Sequence, residues 1–487
     1  MGGHGRAQAR LTVGGSRSGA TIRESEMRAS EEAPHRQGWL RWLTLLAEVA
    51  LLALGIVAMR SIMVATARLP NGDVVEYHTY ALNFWTGHPI FTSLPTEYPP
   101  LAILPFSLTL APPLPGHAFE SVFSWWAAAA VIAGYLGYLR FSDRKRALAY
   151  FIYLVIGSAG TLVARFDIFP AIVTLAAFWA TQRRHYAGAY LLLALGVLLK
   201  LYPIFLAPLP LIAQWQTLHA TVRASRPDAE VATGAVQRRW SGWLRGWLRS
   251  PATWRAVEGL GLFLGAVGLG FAVAFVLNPS GALSEFTYAS ARPLQVESTP
   301  ATILWLGAIV GIPAHPDFSF VSLNYVGPLD VVLKPLSTVA LAAGCVWVYW
   351  RFARGRLSLA QAFLATICVV VVANKIFSPQ YLIWITPFVA EVYGFDGLWL
   401  LIGALTTLIF PYLYGLRNPI QTVTYNWAFM PVVAIRNILL LSFTLRAILS
   451  AARRQPLASE RAATMPVVSE DTSSGTPGRH VATPDRV

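Results

Sequence analysis

Twelve apolar segments organise this chain, at roughly 40–60, 117–139, 147–163, 168–182, 187–200, 203–215, 257–277, 331–350, 357–374, 380–394, 397–414 and 426–446. A helix needs about 20 apolar residues to cross a bilayer; these runs read as spans, several of them short for a full crossing. Charge is correspondingly sparse. Only 13% of the 487 residues are charged, against about 25% in soluble globular proteins. The charges also cluster, with seven Arg in residues 1–41, seven in 216–256 and five in 452–487. The fold class expected is an all-α polytopic membrane protein with about 12 transmembrane helices, and a soluble fold is excluded.

The basic clusters set sidedness, because Lys and Arg concentrate in cytoplasmic loops. With the N-terminal tail inside, Arg140 to Arg146, Arg183-Arg184, the Arg-rich loop 216–256, Arg351 to Arg356 and the C-terminal tail all fall on the cytoplasmic side. The other side receives Asp73, Glu76, Glu97, Asp167, Glu285, Glu297, Asp317 and Asp330. Two shorter, Pro-punctuated pieces, 99–115 and 300–312, would invert this pattern if they crossed. They are therefore expected as interfacial or half-inserted helices on the outer side. Both termini are expected in the cytoplasm. The formal charge of +14 then reports orientation, and no nucleic-acid partner is expected, since a nucleic-acid binder carries its basic groups on one soluble face.

Three regions follow: a disordered tail 1–38, a membrane domain 39–451, and a disordered tail 452–487, the tails being rich in Ser, Gly, Pro, Arg and Glu. The first apolar run, from Trp39 past Met59, starts too late and runs too long for a cleaved leader, so a retained signal anchor is expected. Cys345 and Cys368 lie inside apolar runs and read as small buried hydrophobes. The outer loops, about 62–116 and 278–330, are rich in Tyr, Trp, Phe, Pro and acids, the composition of a folded site.

In the first outer loop, Asn71-Gly72-Asp73 is placed to cap a helix from Val74 to Trp85 that ends at Gly87. Asp73 and Glu76 fall in its first turn. One reading makes them helix-dipole partners; the other makes one of them a general base for an acceptor hydroxyl. Thr96-Glu97-Tyr98-Pro99-Pro100 forms a rigid turn, and His78, His88 and His117 lack the spacing of a helical metal motif. No metal site is expected.

Arg165-Phe166-Asp167 and Lys200-Leu201-Tyr202-Pro203 form two tight connections on the side of Asp73. Arg165 and Asp167 read as a structural ion pair or as ligand contacts. Lysine is scarce, with four among 38 basic residues, and Lys200 and Lys375 are outer cations beside Pro-containing breaks, suited to a lipid phosphate. Arg292, Gln295, Glu297 and Ser298 suit a polyhydroxylated ligand or a loop tied to itself. Glu48 and Arg436, nearer mid-membrane, read as a structural pair or as ligand contacts.

Taken in order, Asp73 with Tyr77, Gly87, Tyr98-Pro99-Pro100-Leu101, Arg165-Phe166-Asp167 with Pro170, Ala187-Gly188, Leu199-Lys200-Leu201-Tyr202-Pro203, Arg292 to Ser298, and Ser378-Pro379-Gln380-Tyr381 with Trp384 resemble the GT-C glycosyltransferases. The resemblance is to glycosyltransferase family 87, which includes polyprenyl-phosphate-mannose-dependent α-mannosyltransferases. It implies transfer of a sugar, with inversion, from a polyprenyl-phosphate donor to a lipid or glycan acceptor on the outer face. It implies no cofactor beyond the lipid-linked donor. By the same resemblance Asp73 is the base, with Glu76 its rival because the loop reads Asp-Val-Val-Glu in place of Asp-x-Asp. Tyr77, Tyr98, Arg165, Asp167, Lys200, Tyr202, Arg292, Gln295, Glu297, Lys375 and Gln380 are implied substrate-binding residues. The competing expectation is a polytopic transporter or lipid flippase.

Overall fold

The computed structural model describes residues 43–62, 73–88, 98–110, 119–224, 251–414 and 427–451. The tails, Asn71-Gly72, Thr96-Glu97, His117 and most of the Arg-rich loop 216–256 lie outside the described residues.

Each of the twelve apolar segments carries a helix: α1 (Leu43–Ile62), then α4 (Phe119–Phe141), α5 (Arg144–Gly157), α6 (Ile168–Gln182), α7 (Tyr186–Leu199), α8 (Pro208–Ala224) and α9 (Pro251–Leu277). The remainder are α12 (Asp330–Ala353), α13 (Leu359–Ala373), α14 (Leu382–Tyr393), α15 (Gly397–Thr407) and α16 (Phe429–Leu449). Five of them, α1, α4, α12, α16 and Val257–Leu277 of α9, are long and apolar enough to cross a membrane. On α9 and α12 side chains such as Val276 and Val331 stay more than 80% exposed. Apolar surface left uncovered on long helices is what a lipid solvent accepts and water does not. The chain is a polytopic helical membrane protein.

Between the long helices lie the elements of the two large loops. The first holds α2 (Asp73–Trp85) and α3 (Ile103–Thr109); the second holds α10 (Pro279–Ala291), α11 (Thr299–Ile309) and a small sheet. The sheet, β1 (Leu294–Gln295), β2 (His315–Ser319) and β3 (Ser322–Val326), is antiparallel in the order β1-β3-β2. Gln295 lies opposite Asn324, and Asp317 lies opposite the same residue from the other side. The all-α expectation omitted this sheet, whose strands are too short to leave a period-two pattern in the sequence.

Local chemistry sets the helix ends. Asp143 caps α5 by accepting from the Arg146 amide at 2.9 Å, and Ser358 and Gln361 form a reciprocal capping box at α13. Asn278 and Ser298 cap α10 and α11, each followed by Pro in the first turn. Helix α5 stops at Gly157, earlier than the expected 163, and residues 158–167 run as buried turns. Two glycines permit the tight course: Gly157 lies against Gly403, and a side chain at Gly160 would meet Pro411 at 2.8 Å.

The main core joins α4 to α7 with α13 to α16. At one end the arginine connections converge. Arg144 pairs with Glu48, Arg146 and Ser142 hold the buried Glu391 at 3.3 and 2.9 Å, and Arg446 pairs with Asp396 at 2.7 Å. Glu48 and Arg436 therefore do not pair with each other. Arg436 belongs to the other half of the bundle and binds Glu297.

Candidate active site at the loop end of the bundle

Helix α2 is seated on the bundle by aromatic side chains. Tyr77 is fully buried, stacks on Phe106 with centroids 4.2 Å apart, and shares a hydrogen bond with the Tyr98 hydroxyl at 3.0 Å. Phe119, Phe123 and Phe166 complete this cluster, and Trp85 Nε1 donates to the Ser107 carbonyl at 2.8 Å. Burial of several aromatic rings fixes both the position and the rotation of α2. Its first turn, with Asp73 and Glu76, is thereby held against residues 158–167. Gly87, with φ of +75°, ends the helix as expected.

There Asp73 Oδ2 meets Arg165 Nη1 in an ion pair. Arg165 and Asp167, read from sequence as possible partners of one another, are each bound elsewhere. Asp167 is completely buried and accepts from Lys200 Nζ at 3.0 Å and from Trp384 Nε1 at 2.8 Å. The reason is geometric. Phe166 between them turns into the aromatic cluster, so its two neighbours point in different directions.

Lys200 ends α7, where the chain turns extended before a 3₁₀ turn at Tyr202–Leu206. Its ammonium lies 5.0, 5.7 and 5.4 Å from the ring centroids of Tyr98, Tyr381 and Trp384. Tyr202 stacks on Trp384 at 4.4 Å. An ammonium held by a buried carboxylate and faced by three rings is an oriented, partly dehydrated cation, favourable for an anionic ligand.

These groups line one cavity of about 400 Å³, within the range of small-molecule sites. Asp73 and Glu76 come from α2, Tyr98 from the first loop, Arg165, Lys200 and Tyr202 from the two tight connections, Arg292 and Gln295 from the second loop, and Gln380, Tyr381 and Trp384 from the segment after α13. Five segments far apart in sequence thus meet at the face away from the arginine clusters.

Four of the expected binding residues do not line it. Tyr77 lies beneath α2 in the aromatic cluster, and Asp167 stands behind Lys200. Glu297 is buried with Arg436 at 3.1 Å and the Tyr414 hydroxyl at 2.9 Å, while Arg436 and Asn437 also donate to its carbonyl. That network ties the second loop to α16, and burial raises the carboxyl pKa while Arg436 opposes the rise. Lys375 donates to the carbonyls of Ser290 and Arg292 at 3.0 and 2.9 Å. Burial and the neighbouring cations Lys334 and Arg292 hold its ammonium below the ordinary lysine range. It supports the backbone that carries Arg292. Gln295 lines the cavity, yet its side-chain oxygen accepts from the amides of Glu297 and Phe377.

Sequence reasoning missed Glu285, Tyr288, Ser322, Phe410 and Tyr414, all of which line the cavity. Glu285 stood among the outer acids but in no motif, and nothing else in the sequence marked it. Among the described residues no group of three His, Cys, Asp or Glu side chains is arranged to hold a metal ion.

No protein-family profile and no curated protein sequence matches this chain. Among solved structures it is similar to ArnT from Cupriavidus metallidurans in the apo state, at 15% identity over 84% of this chain and 76% of that one, with a TM-score of 0.40. It is also similar to the archaeal oligosaccharyltransferase AglB from Archaeoglobus fulgidus in complex with an inhibitory peptide and a dolichol-phosphate. There the identity is 14% over 83% of this chain and 56% of that one, with a TM-score of 0.32. Scores this low leave the functional reading to rest on the cavity's own side chains.

Proposed function

We propose that this protein is a membrane glycosyltransferase that takes a sugar, mannose, from a polyprenyl-phosphate donor and transfers it to a hydroxyl of a lipid or glycan acceptor at the outer membrane face. The observation that carries this reading is the pairing, in one cavity, of α2 carboxylates with Lys200 and Arg292. A base is needed at the acceptor and cations at the departing phosphate.

The acceptor oxygen attacks the anomeric carbon while the bond from that carbon to the phosphate oxygen breaks. The bonding pair leaves with the phosphate, and the hydroxyl proton passes to a carboxylate. Asp73 is the proposed base. A carboxylate accepts up to about four hydrogen bonds, so Arg165 on Oδ2 orients Asp73 without exhausting it. Lys200 and Arg292 stabilise the departing phosphate, with Asp167 fixing Lys200 and Lys375 fixing the Arg292 backbone. Tyr98, Tyr202, Tyr381 and Trp384 supply apolar faces for the lipid-proximal or sugar-ring surfaces. Glu76, also in the cavity wall, is the rival base. The chemistry invokes no nucleotide or other cofactor. Mannose and the polyprenyl carrier rest on the resemblance of the ordered motifs to family 87.

The test is sugar transfer by the purified full chain in lipid nanodiscs from a radiolabelled polyprenyl-phosphate mannose to a membrane-lipid extract. Labelled glycolipid product supports the reading. Movement of the donor across the bilayer without product would replace it with a flippase.

A further inference from the structure

We infer that Glu285 binds a hydroxyl of the sugar carried by the lipid-phosphate donor, an inference that rests on the glycosyltransferase reading and assigns one wall of its cavity. Glu285 projects from α10 into the cavity lining. Its residue surface is 93% buried by the surrounding chain, its exposure being 7%. Its Oε2 has no hydrogen-bond partner among the described residues. A buried carboxyl oxygen without a partner is costly, and here the residue that carries it is part of a cavity wall. The missing partner is then a ligand group.

The neighbourhood identifies that group. Lys200 lines the same cavity as Glu285, its charge acts on the Glu285 carboxyl, and Lys200 is the proposed phosphate holder. In a lipid-phosphate sugar the ring begins one oxygen away from phosphorus. A polar side chain adjacent to the phosphate cation therefore meets ring hydroxyls next. Burial pushes the Glu285 carboxyl up to about 8, with Lys200 opposing the shift. Near neutral pH it therefore carries a proton for much of the time, so it both donates and accepts, as a hydroxyl partner requires, and it places no full negative charge beside the phosphate.

The test compares wild type, Glu285→Ala and Glu285→Gln, all as full chains in nanodiscs, by two measurements. One is kcat and KM for polyprenyl-phosphate mannose; the other is the inhibition constant of sugar-free polyprenyl phosphate. Glu285→Ala is expected to lower kcat/KM for the donor by about tenfold or more and to leave inhibition by the sugar-free lipid within about twofold, while Glu285→Gln retains most of kcat/KM. Equal weakening toward both lipids would overturn the inference and assign Glu285 to the phosphate or the fold. Unchanged kcat/KM in Glu285→Ala, with wild type active, would overturn it too, leaving the function intact. A wild-type chain that neither transfers sugar nor binds the sugar-free lipid would overturn the glycosyltransferase reading itself.

Discussion

Asp73, in the first turn of α2, and Arg165, in the buried turns after α5, form an ion pair on the wall of the cavity. The pair joins the element seated by the Tyr77 cluster to the connection that also delivers Asp167. Arg165→Ala removes the group that orients the Asp73 carboxylate. Sugar transfer is expected to fall by about tenfold or more, as misplacement of a catalytic group does, with Arg165→Lys recovering part of it. Initial rates at saturating donor check this, and equal rates in Arg165→Ala and wild type would remove the pair from the mechanism.

Lys200 and Asp167 separate structure from chemistry. Lys200→Met strands a fully buried carboxylate, and breaking a buried pair costs about 3–5 kcal/mol, which lowers the melting temperature. The double variant Lys200→Met with Asp167→Asn removes the stranded charge and keeps an acceptor for Trp384 Nε1. It is expected to melt close to wild type while transferring no sugar. Recovery of activity along with stability would show that Lys200 serves the fold alone.

The twelve helices were legible because each is an apolar run bounded by charged or Pro-containing segments, and the arginine connections marked one end of the bundle. The site was legible in part. Asp73, Arg165, Lys200 and Arg292 stood out as charges where sidedness disfavours them or as parts of an ordered motif set, and all four line the cavity. Pairing was not legible: the sequence places Arg165 two residues from Asp167, but Phe166 turns inward and sends them to Asp73 and Lys200. Glu297 and Lys375 resembled ligand contacts equally well, and only the three-dimensional neighbours Arg436, Tyr414 and the Ser290 and Arg292 carbonyls give them supporting roles. The small sheet was invisible because its strands span two to five residues.

The raised Glu285 pKa has a consequence for stability. Between its ordinary value of 4.5 and about 8, the folded chain keeps a proton that the unfolded chain has released. The folded state thus binds more protons there, and raising the pH through this window weakens the fold. Glu285→Gln removes that contribution. Melting curves in detergent at pH 5 and pH 8 should show a smaller loss across the window in the variant than in wild type. An identical difference in both proteins would contradict the assignment of a buried, protonated carboxyl.

Helices α5 and α15 cross at glycines. A Cβ at Gly403 would lie 3.0 Å from the Gly157 Cα, a backbone atom that cannot swing aside. Overpacking of this kind costs about 1–3 kcal/mol. Gly403→Val is therefore expected to melt several degrees lower while its activity per folded molecule stays near wild type. A melting temperature equal to wild type would show that the crossing relaxes freely.

In the proposed mechanism a carboxylate of α2 takes the acceptor proton during sugar transfer from a lipid phosphate. The most direct measurement is single-turnover transfer from polyprenyl-phosphate mannose by Asp73→Asn and Glu76→Gln beside wild type, with binding of sugar-free polyprenyl phosphate measured on the same preparations. The expected result is a loss of about 10²–10⁴-fold in Asp73→Asn, the range typical of general base catalysis, with lipid binding retained and Glu76→Gln far less affected. Full transfer by both variants would exclude an α2 carboxylate as the base.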